Sequence, residues 1–151
     1  MLKSRIESLG VYLPEKTVTT QELVKQMPTA PMFDLEKLTG ISSRRWRAEH
    51  EDCYSLALDA IEKCITQSKY LAQDIDVIIC TSITRFRDGL KYYVEPCLSS
   101  DLKRALGMRA DALNFDITNA CAGMFSGVYM LNEMIKSCLL YTSPSPRDFQ
   151  V

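Results

Sequence analysis

The sequence has no marked charge imbalance and no long apolar run, and these absences exclude several broad classes of protein. Its 18 basic and 19 acidic residues give a formal net charge of −1. That balance argues against a role on nucleic acid or on membrane surfaces, because both need an excess of basic residues. No apolar stretch is long enough to serve as a signal peptide or to cross a bilayer as a helix. We therefore expect neither a nucleic-acid partner nor a membrane span.

The cysteines lack the spacing of a metal or redox motif, and histidine is almost absent. No two cysteines form a C-x-x-C pair, so the sequence indicates neither a zinc site nor a thioredoxin-like motif. There are six of them: Cys53, Cys64, Cys80, Cys97, Cys121 and Cys138. Without a secretion signal, free thiols in a reducing cytoplasm are the natural inference, and we expect no bound metal. His50, the single histidine, is expected to be a surface residue rather than a general base.

The composition and the order of apolar patterns favour one α/β domain with a sizeable core. Hydrophobic residues make up 46% of the 151 residues and charged residues 25%. Apolar runs typical of strands, at 5–13, 74–82 and 113–117, alternate with helical patterns at 53–68 and beyond residue 121. The run at 74–82 is nearly continuous and rich in β-branched residues, as in a strand covered on both faces. The alternation predicts a layered architecture with a largely parallel sheet.

Capping residues and prolines predict three shorter helices and one loop. The helices are expected at 20–27, at 34–38 and from Pro96 to about residue 106. The polar, basic and aromatic segment 85–93 is expected to be a loop.

Cys121 lies where the sequence most clearly places a reactive group. A predicted strand at 113–117 ends at Thr118, and small and apolar residues recur with helical spacing after Cys121. The unpaired N–H groups and the positive end of a helix dipole stabilise a thiolate at such a position. Gly123 and Gly127 would let another backbone or a substrate approach the helix. Cys121 is therefore a candidate nucleophile, and the residues alone leave open that it is a small buried hydrophobic residue.

Three motifs occur in a recognisable order along the chain. Residues 6–15 end in Gly-Val-Tyr-Leu-Pro-Glu, and residues 38–45 read Leu-Thr-Gly-Ile-Ser-Ser-Arg-Arg. Residues 115–116, Phe-Asp, are followed at 120–124 by Ala-Cys-Ala-Gly-Met. In this order they resemble the opening strand, the Thr-Gly-Ile-x-x-Arg-Arg signature and the active-site motif of the ketoacyl-acyl-carrier-protein synthase III family, within the thiolase-like condensing enzymes. The resemblance covers roughly residues 3–137.

The resemblance implies both a fold and a reaction. Residues 1–137 would form an incomplete N-terminal half of a thiolase-like α/β fold, with a mostly parallel sheet and covering helices. The activity would be that of an acyltransferase that forms a carbon–carbon bond by Claisen condensation of acyl thioesters, in fatty-acid or related lipid or polyketide synthesis. Cys121 would carry the acyl group as an acyl-cysteine intermediate. The implied substrates are acyl-CoA and acyl-carrier protein, without a cofactor, in a cytoplasmic homodimer.

Arg44 and Arg45 are candidates for a binding surface. They would form a basic rim for the phosphates of coenzyme A or for an acidic carrier protein. The alternative is a solvated edge, which is how most charge runs behave. Related starter synthases usually clasp the adenine of the coenzyme with a tryptophan and an arginine, and those positions hold Asp34 and Leu38 here.

Glu95 has three possible roles, and one of them bears on the reaction. It is a solvated carboxylate, a partner of a helix N-terminus, or a base that enters the partner subunit's pocket. Some condensing enzymes that join two acyl chains resemble its Glu-Pro arrangement. Two alternative functions stay open: head-to-head condensation of two long acyl-CoA chains, and a non-catalytic thiolase-like partner subunit. Such partner subunits often lack the cysteine, so Cys121 argues against the second.

The last residues differ in character from the rest. Residues 138–148, Cys-Leu-Leu-Tyr-Thr-Ser-Pro-Ser-Pro-Arg-Asp, resemble the translation of a transposase-end sequencing adaptor. Two prolines in three residues prevent the preceding helix from continuing, and we interpret 138–151 as a non-biological tail. On this interpretation the natural sequence breaks off after residue 137, and the family's histidine and asparagine would lie beyond that break. The chain as printed should then not turn over.

Overall fold

The computed structural model describes residues 4–88 and 91–137. The predicted tail at 138–151 lies outside these residues. The elements follow one another as β1 (Thr17–Thr19), α1 (Thr20–Lys25), α2 (Leu35–Thr39), β2 (Ser43–Arg45), α3 (Cys53–Thr66), β3 (Val77–Cys80), β4 (Phe86–Arg87), β5 (Lys91–Tyr92), α4 (Leu98–Ala105), β6 (Leu113–Asp116) and α5 (Gly123–Lys136). Single 3-10 turns lie at Ala72–Asp74 and Ala120–Ala122.

A parallel pair of strands, β3 and β6, forms the centre of the described fold. Their register runs from Val77 opposite Leu113 to Cys80 opposite Asp116. Beyond the paired residues, the backbone N–H of Ile117 donates to the carbonyl of Cys80 at 2.8 Å. The prediction of parallel strands in an α/β arrangement is confirmed.

Helix α4 covers this pair and supplies much of the buried core. It lies between β3 and β6 in the sequence and packs against both strands. Leu98 and Leu102 are only 3% and 2% exposed, and burying a leucine side chain stabilises a fold by about 2 kcal/mol. The helix begins at Leu98 with Cys97 as its N-cap. The sequence predicted Pro96 in the first turn of this helix. In the structure Pro96 instead precedes the helix.

The described residues also form two smaller antiparallel pairs. Strand β1 pairs with β2, with Thr17 opposite Arg45. Strand β4 pairs with β5, so the segment predicted as a loop at 85–93 contains a short hairpin. Across the hairpin the rings of Phe86 and Tyr92 meet edge to face, with centroids 5.5 Å apart. Such cross-strand aromatic pairs stabilise short ladders.

The strand predicted at 5–13 is wrong for the described residues, because this segment pairs with no strand there. It runs instead along α3, where a Cβ on Gly10 would lie 2.0 Å from the carbonyl oxygen of Ala60. The Ser8 Oγ and Cys64 Sγ atoms are 3.1 Å apart in the same contact. Alternating side chains indicate an extended backbone, but they do not identify a partner strand. The apolar residues of the segment remain at least 60% exposed: Ile6, Leu9, Val11 and Leu13.

The helices predicted from capping residues are present. Thr19 caps α1 in a capping box with Glu22, and Asp34 caps α2. Helix α2 ends at Gly40, whose φ of 71° is a conformation that glycine adopts readily. Among the described residues, no helix has the length and apolar character that crossing a membrane would require.

Candidate active site

Cys121 lies on a tight turn between β6 and α5. The strand ends at Asp116, the 3-10 turn follows at Ala120–Ala122, and α5 begins at Gly123. Ala120 has a φ of 39°, and backbone strain is expected there because its Cβ disfavours the left-handed region. The N–H of Ala122 closes the turn by donating to the carbonyl of Asn119 at 2.9 Å. The chain thus reverses sharply and leaves Cys121 exposed among the described residues.

The glycines of α5 place the helix directly on the end of β3. A Cβ on Gly123 would lie 2.7 Å from the carbonyl oxygen of Thr81, and one on Gly127 would lie 2.8 Å from the Cγ2 of Thr81. Side chains do not tolerate contacts this short, so both positions require glycine for close packing. The prediction that another backbone approaches these glycines is confirmed at Gly123, which meets the backbone of Thr81, the residue that follows β3. Gly127 meets the side chain of Thr81 instead.

Side-chain hydrogen bonds brace the turn on the side of α5. Asn119 donates from Nδ2 to the Oγ of Ser126 at 2.8 Å. Ser126 in turn donates from Oγ to the carbonyl of Ala122 at 3.1 Å. Asn119, which precedes the 3-10 turn, and Ala122, which ends it, are therefore both hydrogen-bonded to Ser126 in the first turns of α5.

Asp116 joins the end of β6 to the start of α4. Its carboxylate accepts the backbone N–H of Leu98 at 3.1 Å and that of Ser99 at 3.0 Å. Its side chain is only 5% exposed. A carboxylate at this point satisfies two N–H groups that a helix start leaves unpaired, and it complements the helix dipole. Asp116 belongs to the motif at 115–116, but the sequence pattern does not indicate these partners.

Arg85 connects this carboxylate to the Cys121 turn. Its Nε lies 3.6 Å from the Oδ2 of Asp116, and its Nη2 donates to the Oγ1 of Thr118 at 2.6 Å. The Arg85 side chain is 13% exposed. No sequence motif marks Arg85 as a site residue. The only signal available was its place in a basic segment after a buried strand.

The described cysteines differ in exposure, and Cys121 is the exposed one. The other four are partly buried: Cys53, Cys64, Cys80 and Cys97. Burial raises the pKa of the Cys80 thiol, because an apolar environment disfavours the thiolate. Among the thiols that the structure describes, accessibility therefore favours Cys121 as the reacting one.

Arg44 and Arg45 lie on β2, away from the hydrogen bonds that hold the turn. Arg44 donates from Nη2 to the Oγ1 of Thr20 at 2.7 Å. Arg45 donates from Nη1 to the carbonyls of Glu15 at 2.9 Å and Pro14 at 3.3 Å. Neither makes a described hydrogen bond or ion pair to residues of the Cys121 turn. A role for these arginines in binding coenzyme A or a carrier protein stays a prediction.

Glu95 and His50 are both exposed. Within the described part of the chain, the Glu95 carboxylate has no hydrogen bond or ion pair. The expected surface position of His50 is confirmed. In the described ranges, no group of three or more histidine, cysteine, aspartate or glutamate side chains is arranged to hold a metal ion.

The fold is that of the thiolase-like condensing enzymes. An OleA variant from Xanthomonas campestris is similar with a TM-score of 0.75 and 23% identity, over 87% of this chain and 39% of that one. The 3-oxoacyl-(acyl carrier protein) synthase III of Xanthomonas oryzae is similar with a TM-score of 0.72 and 21% identity, over 87% and 39%. At these identities the likeness shows the fold alone. No family model matches the sequence.

Curated sequence relatives narrow the class to a family. Beta-ketoacyl-[acyl-carrier-protein] synthase III 2 of Bacillus cereus is 30% identical over 135 residues, which are 89% of this chain and 39% of the relative. The synthase III of Neorickettsia sennetsu is 31% identical over 141 residues, covering 91% and 42%. The chain belongs to the ketoacyl-acyl-carrier-protein synthase III family. It spans about two fifths of the length of these relatives.

Proposed function

We propose that Cys121 is the acyl-accepting nucleophile of a condensing enzyme of the ketoacyl-acyl-carrier-protein synthase III type. The observation that carries the proposal is an exposed cysteine held on a strained turn between a parallel strand and a glycine-packed helix. Family membership supports it, since the relatives are named as synthases that act with an acyl-carrier protein. Acyl-CoA and acyl-carrier protein are the proposed substrates, and a homodimer is the proposed assembly.

The reaction divides into two half-reactions. In the first, the Cys121 thiolate attacks the carbonyl carbon of an acyl thioester, and the thiol of the donor leaves. The oxyanion of the tetrahedral intermediate would be stabilised by backbone N–H groups, including that of Cys121. In the second, a carbanion from the other substrate attacks the acyl-cysteine, the new carbon–carbon bond forms, and the Cys121 thiolate leaves.

Radiolabelled acyl-CoA tests the first half-reaction in the full-length protein. We expect the label on the peptide that contains Cys121, and no label in Cys121→Ala. Cys80→Ala is the matched control, because it removes a neighbouring thiol that is partly buried, and it should label as the unmodified protein does. Equal labelling of the Cys121→Ala variant would contradict the proposal.

A second candidate function is head-to-head condensation of two acyl-CoA chains, with Glu95 as the base. It is favoured by the exposed Glu95 carboxylate, which no described hydrogen bond or ion pair occupies. A base is needed only to form the carbanion, so Glu95→Gln should keep acylation and lose carbon–carbon bond formation. Glu49→Gln removes another exposed carboxylate and serves as the control. Glu95 is a surface carboxylate if both half-reactions survive in Glu95→Gln.

The 151-residue chain alone should not complete the reaction. It holds one histidine, His50, which is exposed. No described hydrogen bond joins His50 to the Cys121 turn. We propose that this chain carries the nucleophile and that the groups which complete condensation lie elsewhere in the protein. Product formation from acyl-CoA by the isolated chain would contradict this.

A further inference from the structure

Three side chains from two distant segments of the sequence meet at the end of β6. Asp116 is the last residue of that strand, Thr118 follows it, and Arg85 belongs to the segment after β3. The Asp116 carboxylate is already fixed by the two N–H groups of α4. Asp116 thus provides an immobile anchor close to the start of the Cys121 turn.

The Arg85 guanidinium lies between this anchor and Thr118. Its Nε is 3.6 Å from the Asp116 carboxylate, while its Nη2 donates to the Thr118 hydroxyl at 2.6 Å. Because a guanidinium is planar and rigid, fixing one of its edges fixes the direction of the other. The buried Nε has no hydrogen bond of its own, so the donated bond to Thr118 is the directional contact of this side chain.

We propose that Arg85 is a positioning residue for Cys121, an inference that rests on the proposed function. Strained backbone such as that of Ala120 persists only when the surroundings hold it firmly. The bonds of Asn119 and Ser126 hold the turn from the side of α5. The bond from Arg85 to Thr118 holds it from the side of β6. With both in place, the Cys121 thiol is kept at the N-terminal end of α5.

Arg87 offers a matched comparison within the same hairpin. It forms an ion pair with Asp101 of α4 and donates from Nη2 to the carbonyl of Pro96 at 3.0 Å. Its guanidinium also lies 4.4 Å from the centroid of the Tyr93 ring. Arg87 therefore holds the hairpin to α4 and makes no described contact with the Cys121 turn. A role common to any hairpin arginine should appear at both positions, and a positioning role only at Arg85.

The test uses Thr118→Val, which removes the acceptor of the Arg85 bond and nearly keeps the shape of the side chain. The probe is iodoacetamide, and the rate of alkylation of the Cys121 peptide is followed by mass spectrometry across a range of pH. Loss of a helix-dipole contribution changes a thiolate population by about two- to fivefold. We expect Thr118→Val to slow alkylation by that factor at neutral pH. The profile of alkylation rate against pH should move to higher pH.

Four further variants separate positioning from folding. Thr118→Ser keeps the hydroxyl and should restore the rate, and Arg87→Lys should leave the rate unchanged. Arg85→Met removes the bond to Thr118 and also the ion pair with Asp116, so it should slow alkylation at least as much as Thr118→Val. Adding Thr118→Val to Arg85→Met should slow alkylation no further, because the bond between the two side chains is already lost. Equal alkylation rates and profiles in Thr118→Val and Thr118→Ser would overturn the inference.

The two proposals fail in different ways. Alkylation by iodoacetamide does not require acyl transfer, so it reports on the turn even if the protein condenses nothing. If acyl-CoA does not label Cys121 while Thr118→Val still slows alkylation, the proposed function fails and the positioning of the thiol stands. If acyl-CoA labels Cys121 and Thr118→Val is alkylated as fast as the unmodified protein, the proposed function stands and the positioning role of Arg85 fails.

Discussion

Strands β3 and β6 end side by side, yet the cysteine at the end of β3 and the cysteine after β6 differ in their exposure to solvent. Cys80 is the last residue of β3, is partly buried, and has a pKa raised by burial. Cys121 lies beyond the end of β6, on a turn, and is exposed. A cysteine inside a covered strand is a packing residue. The same residue type becomes available for chemistry where the chain leaves the sheet.

One helix accounts for both environments. Helix α5 starts just after Cys121 and packs through Gly123 and Gly127 on Thr81, the residue that follows Cys80. The helix that covers the end of β3 is therefore the helix that carries the exposed turn. A displacement of α5 should therefore uncover the end of β3 near Cys80 and loosen the turn that holds Cys121.

The largest expected effect is a difference in alkylation between the two thiols of the folded protein. Near pH 8, iodoacetamide should modify Cys121 on the order of tenfold faster than Cys80, because Cys121 is exposed whereas burial restricts access to Cys80 and disfavours its thiolate. Because the pKa of Cys80 is raised above its ordinary 9.0, its thiolate forms only at higher pH, and the difference should narrow as pH rises above 9. Peptide mass spectrometry measures both rates in one sample.

Unfolding provides the control for this comparison. In concentrated urea both cysteines should react at similar rates, because neither the burial of Cys80 nor the turn of Cys121 persists. Similar rates in the folded protein would show that the two surroundings do not differ in the way described.

A substitution at Gly123 should have the next largest effect. Alanine in place of a helical glycine usually stabilises a protein by about 0.5–1 kcal/mol. Here the new Cβ would meet the Thr81 carbonyl oxygen at 2.7 Å, and backbone cannot rotate away. We expect Gly123→Ala to lower the free energy of unfolding by about 1–3 kcal/mol. It should also shrink the difference in alkylation between Cys121 and Cys80, as α5 moves off β3. Urea denaturation measures the first change, and a more stable variant would contradict the packing.

Local patterns predicted the parts of this site that depend on neighbouring residues. The strand at 113–117, the cysteine at its exit and the small residues of the next helix are adjacent in the sequence, so periodicity was sufficient to place them. The helices predicted at 20–27 and 34–38 were found for the same reason, because their capping residues are adjacent to them in the sequence. The motif at 120–124 then identified the family that the curated relatives confirm.

Contacts between distant residues were not predictable in this way. Nothing in the segment 85–93 indicates that its first arginine meets a strand end near Asp116, because no local pattern encodes that distance. The failed strand at 5–13 has the same origin. The alternation of apolar and polar side chains at 5–13 indicates an extended backbone, but a β-strand also needs a partner strand. Here the segment lies along α3 instead. The role of Glu95 stays a prediction for the same reason, since the described residues place no partner beside it.

The smallest expected effect distinguishes the two glycines of α5 from each other. A Cβ on Gly127 would meet the Thr81 Cγ2 at 2.8 Å, a methyl group, and the Ile79 Cγ2 at an ordinary 3.9 Å. We expect Gly127→Ala to lower the free energy of unfolding by only about 1 kcal/mol. Thr81→Ser removes that methyl group, so the double variant should regain most of this loss. The same serine should not rescue Gly123→Ala, whose clash is with the carbonyl oxygen of residue 81, which every residue type retains. Urea denaturation of the two double-mutant cycles measures both couplings. Equal rescue at the two positions would mean that α5 rests on the Thr81 side chain alone, and the backbone contact that ties the Cys121 turn to β3 would then be wrong.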